Sequence, residues 1–214
     1  MIFLPGTRKG VIEAARIINA GGLVAFPTET FYGLAVNPSN GEALSRLFRV
    51  KKRPVDKPIL LLVANRRQLE DLVEEIPPVY GKLIEKFWPG PLTLIFEAKK
   101  DLQPLLTAST GTVGIRMSSH SLAEQLINGV GGAITATSAN LSGYPATVSV
   151  DEVGEQLFDA IDAVLDGGRT PGVSSSTVVR LEKGKLVMIR EGMLCPEVLT
   201  FIASVESRHN GDRI

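Results

Sequence analysis

The chain has 214 residues, 44 % of them hydrophobic, which suits one large domain or one domain with a small appendage. Its 23 Lys and Arg balance 23 Asp and Glu, so net charge supplies no general attraction to nucleic acid or an acidic membrane, although a local basic patch stays open. Its single cysteine, Cys195, excludes an intrachain disulfide, and two histidines, His120 and His209, are too few for a zinc site of the usual kind. The opening MIFLPGTRKG carries no signal-peptide core, and the longest apolar run, residues 59–64, is far short of a membrane span. A cytoplasmic protein without membrane association is expected.

The first element predicted is a helix over 10–20, where Val11, Ile12, Ala14, Ala15, Ile17 and Ile18 recur with helical spacing. Gly21 and Gly22 stop it, and a short buried strand follows at 23–26. Pro27 then opens PTETFYG, a loop dense in hydroxyls. Ser39 with Glu42 reads as a capping box for a helix through Leu44, Leu47 and Phe48 toward Val50, with a basic last turn. A strand is predicted over 59–64, helices over 66–75 and 79–87, a rigid turn at WPGPL and a strand over 93–96. A strand over 112–117 leads to a helix capped by Ser121 with Glu124, then to a strand over 133–136 that runs into TSANLSG. Ser149 with Glu152 is a third capping box. Strands follow at 161–165, 177–181 and 186–189, the last two pairing as a hairpin, before a helix over 196–205 and a frayed tail from 207. Strands alternate with helices early and follow one another late. The expected fold is therefore α/β, a twisted mixed sheet with flanking helices, with residues 1–195 as one domain and 196–214 as a C-terminal helix and tail.

Three polar loops interrupt the apolar elements: PTETFYG (27–33), KKRPVDKP (51–58) and TSANLSG (137–143). Walker A, Rossmann and G-x-S-x-G spacings are all missing, which turns attention from covalent attack to binding. Lys51 and Arg53 would point the same way in extended backbone and diverge in a helical last turn. Together they either grip phosphates or lie on solvated surface. The hydroxyls of Thr28, Thr30, Thr137, Ser138 and Ser142 either cap local backbone or meet a ligand. Ser138 and Asn140 share a parity if that segment is extended. Arg116 alternates with apolar Val113, Ile115 and Met117 and shares a face with Gly114 and Thr112, so it meets either an internal carboxylate or a bound one. Arg190 invites the same two readings, and Cys195 reads as an inert thiol.

FPTETFYGL, KKRPVDKPI, WPGPLT, TVGIRM, TSANLSG and STVV, in this order and with a basic residue near 190, resemble the YrdC/TsaC family of L-threonylcarbamoyladenylate synthases. The resemblance covers the chain from about Ala15 to Gly192. It implies a largely parallel sheet around a large concave basic cavity. It implies an enzyme, a nucleotidyltransferase that converts L-threonine, bicarbonate or CO2 and ATP to threonylcarbamoyl-AMP and pyrophosphate. Partner proteins would then move the threonylcarbamoyl group to N6 of adenosine 37 in tRNAs reading codons that start with A. By the same resemblance ATP is met by Lys51, Arg53, Thr112, Ser138, Asn140 and Arg190, and L-threonine by Thr28, Arg116, Ala136 and Ser176. Mg2+ would travel with ATP and be held mainly by the nucleotide, with no dedicated metal site and no protein nucleophile. The chain departs from the longer relatives at Leu62, Arg180 and Glu191, where they commonly carry His, an acidic residue and Pro, and it looks like the short, single-domain form. The alternative of another class is a protein of this fold that binds tRNA or double-stranded RNA directly or acts in ribosome maturation.

Overall fold

The computed structural model describes residues 1–211, and residues 212–214 lie outside the described residues. The chain opens with β1 (Ile2–Pro5) and α1 (Arg8–Asn19), continues through β2 (Val24–Phe26) and β3 (Gly33–Ala35) to α2 (Gly41–Lys51), and reaches β4 (Leu61–Leu62). Helices α3 (Arg66–Glu70) and α4 (Pro78–Phe87) precede β5 (Leu92–Glu97), α5 (Pro104–Thr107), β6 (Thr112–Arg116) and α6 (Ser121–Val130). The second half holds β7 (Ile134–Thr135), β8 (Thr137–Ser138), α7 (Val150–Leu157), β9 (Ala163–Asp166), β10 (Thr177–Glu182), β11 (Lys185–Arg190) and α8 (Cys195–Gly211).

These strands form two sheets, ordered β1-β9-β2-β3-β8 and β11-β10-β5-β6-β4-β7. Both are mixed and carry helices, as expected of an α/β fold. The expectation of one largely parallel sheet is not met. Parallel ladders join β1–β9, β2–β9, β5–β10 and β4–β6, while β2–β3, β3–β8, β10–β11, β5–β6 and β4–β7 run antiparallel. Chain economy explains this, because β2–β3 and β10–β11 are joined by connections too short for the crossover that parallel neighbours need.

Helix α1 buries Val11, Ala14, Ala15, Ile17 and Ile18 against the first sheet and packs on α6. The two helices touch at Gly129, where a Cβ would stand 3.2 Å from Ala15 Cβ. The larger core gathers Leu23, Leu34, Leu44, Leu47, Leu61, Tyr80, Leu94 and Ile115 from both sheets and from α2 and α4.

Capping corrects two predicted helix starts. Helix α2 is capped by Asn40, whose Oδ1 accepts the Ala43 N–H at 3.0 Å, whereas the Ser39 N–H is turned to Asn37 Oδ1 at 2.9 Å. Helix α6 is capped by His120 through Nδ1, leaving Ser121 as its first residue. The third box holds, since Ser149 Oγ accepts from the Glu152 N–H and the Glu152 carboxylate returns to the Val148 N–H at 2.8 Å. The apolar run 59–64 contributes only Leu61 and Leu62 as paired strand residues: Val63 N–H still bonds Arg116 O of β6, while Ile59 N–H turns away to Leu106 O. Helix α3 ends five residues before its predicted end, and α8 runs on through 211, into the stretch assigned to a frayed tail.

Candidate active site

A cavity of about 350 Å³ opens between the two sheets. Strand periodicity builds its main wall. Thr112, Gly114 and Arg116 alternate along β6, Thr93 and Ile95 along β5, and Val178 follows on β10. Register brings them level, with Ile95 opposite Gly114 and Val178 opposite Thr93, while Leu94, Ile115 and Val179 point the other way into the core. The facing wall comes from the loop after β2 (Thr28, Thr30, Phe31, Tyr32), from Gly33 and from Ala136, Thr137 and Ser138. Arg53, Pro58, Ile59 and Leu60 form one flank and Ser175, Ser176 and Arg190 the other.

The wall carries three guanidinium groups and, among the described residues, no carboxylate. Arg116 is 3 % exposed, and its Nη1 lies 3.5 Å from Glu29 Oε1 and 3.4 Å from Thr30 Oγ1. Its Nε and Glu29 Oε1 are buried without a hydrogen-bond partner. Burial lowers the pKa of Arg116 from its ordinary value, and the Glu29 charge opposes that. Arg190 donates from Nε and Nη2 to Ser176 O at 3.1 and 2.9 Å and from Nη2 to Ser176 Oγ at 2.9 Å. Its pKa is lowered by burial and then by Arg116, so the two cations share one electrostatic environment. Arg53 donates to Pro58 O at 2.7 Å and to Lys57 O at 3.3 Å, which holds the flank loop closed on itself. An enclosed surface of this kind suits anions, and planar guanidinium forks suit carboxylate and phosphate.

Of the residues singled out in the sequence, Thr28, Arg53, Thr112, Arg116, Ala136, Ser138, Ser176 and Arg190 meet on this wall. Lys51 and Asn140 do not. Lys51 is the last residue of α2, and Lys52 ends the helix in left-handed backbone at φ 51°, so Lys51 and Arg53 diverge. The Lys51 ammonium is 2 % exposed and donates to Ser138 O, to Asn140 O at 2.7 Å and to Asn140 Oδ1 at 3.1 Å. Burial, with the like charge of Arg53 second, brings its pKa down to about 7. The Asn140 side chain is likewise spent internally, accepting from Ser138 Oγ at 2.5 Å and donating to Tyr144 O at 2.6 Å. Lys51 and Asn140, both expected at ATP, thus hydrogen-bond each other beside Ser138 and stand just off the cavity wall.

Thr28 Oγ1 donates to Phe31 O at 2.7 Å and receives the Thr30 N–H at 3.1 Å, so the threonines fix their own loop as well as facing the cavity. Ser176 Oγ bonds Thr93 Oγ1 at 2.8 Å. Glu29 escaped the sequence reading. It stands behind Arg116 and accepts from Ser118 Oγ, and its only signal was one acidic residue among the hydroxyls of PTET. Leu62 is buried in β4, and Arg180 pairs with Glu182 away from the cavity wall. Among the described residues no group of three or more His, Cys, Asp or Glu converges as a metal cradle, and no helix is long and apolar enough to cross a membrane.

The fold is an α/β chain whose arginine- and hydroxyl-lined cavity lies between two mixed sheets, a lining whose chemistry suits small anions. The family described as Telomere recombination (Sua5, YciO and YrdC) matches residues 16–192, and the chain belongs to it. Among its relatives, a threonylcarbamoyl-AMP synthase of Pyrococcus abyssi is 41 % identical over 181 residues, covering 85 % of this chain and 53 % of that protein. A Bacillus subtilis protein of the same name is 40 % identical over 188 residues, covering 87 % and 54 %. The chain thus spans about half the length of these two relatives. A crystal structure of P. abyssi Sua5 complexed with L-threonine superposes with a TM-score of 0.85 at 38 % identity, covering 89 % of this chain and 57 % of that one.

Proposed function

We propose that this chain is a threonylcarbamoyl-AMP synthase, joining L-threonine, bicarbonate or CO2 and ATP into threonylcarbamoyl-AMP and pyrophosphate for the N6-threonylcarbamoyladenosine modification of tRNA. One observation carries this reading. Arg53, Arg116 and Arg190 line a single cavity with no acidic side chain among its described wall residues, and the buried Arg116 Nε has no partner of its own. A substrate carboxylate supplies the acceptor that Arg116 lacks, with Thr28, Thr30, Ala136 and Ser176 around the amino acid. The likeness to a structure bound to L-threonine supports the same assignment. Arg53, Arg190, Thr112 and Ser138 face the nucleotide.

The reaction needs no protein nucleophile. The threonine amine attacks the carbon of CO2 or activated bicarbonate, and a carbamate oxygen then attacks the α-phosphorus and expels pyrophosphate. Alignment of three anionic fragments and compensation of their charge are the protein's share, and fixed guanidiniums in a partly enclosed site supply both. Apolar Phe31, Ile59, Leu60 and Val178 keep water from the labile carbamate. Mg2+ enters as part of MgATP, carried by the phosphates. Its product, a reactive mixed anhydride, requires transfer proteins downstream to deliver the group to tRNA. The test is incubation with labelled bicarbonate, L-threonine and MgATP. Threonylcarbamoyl-AMP and pyrophosphate should form together and only when threonine is present. ATP turnover indifferent to threonine would overturn the reading.

A further inference from the structure

The three guanidinium groups on the cavity wall are not electrostatically alike. Among the described residues neither Arg53 nor Arg190 makes an ion pair, and Asp56 acts on Arg53 only from beyond ion-pair distance. Arg116 alone of the three has a carboxylate behind it, with Glu29 Oε1 3.5 Å from its Nη1. Glu29 is absent from the wall although Thr28 and Thr30 on either side of it are present, so it reaches a ligand only through its charge. Ser118 Oγ holds the carboxylate by donating to Oε2 and itself receives the His120 N–H at 3.2 Å, which ties Glu29 to the stretch leading into α6. Arg190 feels the charge of Arg116, so without Glu29 the two would form one doubly cationic seat. A lone buried cation draws an anion more strongly the more charge that anion carries. A guanidinium backed by a carboxylate is close to neutral at a distance, yet still offers its N–H groups to a carboxylate in contact.

We propose that Glu29 is a positioning residue that divides the cavity by charge: acting through Arg116, it reserves that end for the single carboxylate of a zwitterionic amino acid and keeps polyphosphate at Arg53 and Arg190. The choice of L-threonine as the amino acid rests on the synthase reading, but the exclusion of polyphosphate from Arg116 does not. A zwitterion carries no net charge and loses little to the Glu29 field. A polyphosphate carries several negative charges, meets the repulsion of Glu29 and is denied the full pull of Arg116. The released pyrophosphate is thereby kept out of the amino-acid seat.

The probe is inorganic pyrophosphate, titrated by calorimetry into the ligand-free wild type and into Glu29→Gln, which keeps the shape and an oxygen for Ser118 but removes the charge. Pyrophosphate should bind the variant about tenfold tighter or more, and there it should displace L-threonine, which it leaves in place in the wild type. Equal pyrophosphate affinity in the two proteins would overturn the proposal. Glu29→Asp retains the charge and should behave as the wild type; behaviour like Glu29→Gln would make shape the cause and overturn it equally. The double variant Glu29→Gln/Arg116→Gln should lose the gain, because the gain belongs to Arg116; its persistence would place the extra affinity elsewhere and end the proposal. In turnover, added pyrophosphate should raise the KM for L-threonine in Glu29→Gln while kcat at saturating threonine stays within about threefold, whereas a merely structural lesion lowers kcat without that new dependence. Should Glu29→Gln fail to fold, Glu29→Asn takes its place in each measurement. If the wild type does not bind L-threonine, the synthase reading falls and the pyrophosphate affinities alone decide the division of charge.

Discussion

Arg116 and Glu29 form a buried couple that is only half made, at 3.5 Å and with one unpartnered atom on each side. Removing either group strands the other. Arg116→Ala should cost on the order of 3 kcal/mol of L-threonine binding while ATP binding is largely kept, and calorimetry showing equal threonine affinity in variant and parent would refute the assignment. Glu29→Ala leaves a buried guanidinium without its carboxylate and should lower unfolding free energy by about 3 kcal/mol, measured by urea denaturation. Lys51 makes a pH prediction of definite sign. Its folded value of about 7 lies below the ordinary 10.5, so between these values the unfolded chain binds the extra proton and stability rises with pH. Lys51→Met lacks that contribution. The unfolding free energy of wild type minus that of the variant should therefore grow across the window, and a difference independent of pH would contradict the burial of a titrating ammonium. At this scale the sequence was partly legible. The alternation around Arg116 announced a strand with one apolar and one open face, and the fold sets Thr112, Gly114 and Arg116 on one wall. Which of the two readings of Lys51 and Arg53 holds turned on where α2 ends, and no glycine marks that end: Lys52 itself takes the left-handed turn, and the two side chains diverge.

Elements showed more clearly where hydrophobic pattern and punctuation agree. Helices α1, α4 and α6 and strands β5, β6 and β10 follow from their apolar spacing, and the Ser149 cap from its box. Ser149→Ala should cost about 1 kcal/mol, read as a shift of the denaturation midpoint. The elements that went unread, β1, β3, β8 and α5, are no longer than four residues, too brief to display a period. Neighbours decide such segments: β3 pairs with β2 on one side and β8 on the other, and β8 exists through its pairing with β3. One element boundary bears directly on the cavity. A Cβ on Gly192 would stand 2.4 Å from Ser175 O, Ser176 C and Thr177 N, all of them backbone. Gly192→Ala must displace backbone in that stretch, of which Ser175 and Ser176 line the cavity. A loss of about 1–3 kcal/mol in stability with weakened threonine binding is expected, and intact binding would show that the stretch yields elsewhere.

At the scale of the molecule, what the sequence could not show was that its strands divide between two sheets, since pairing across long separations leaves no local pattern. The three polar loops nonetheless meet around one hollow, with Thr28, Arg53 and Ser138 each contributing from a different loop. That hollow lies along the seam where β3 and β8 face β5, β6 and β10. A substrate seated there touches both halves at once and works as a rivet. Saturation with threonine and ATP should then tighten the joint itself: at a hundredfold excess over Kd, binding adds about 2.7 kcal/mol to unfolding. Its mark would be slower amide exchange in both sheets together, even in strands that never meet the bound molecules.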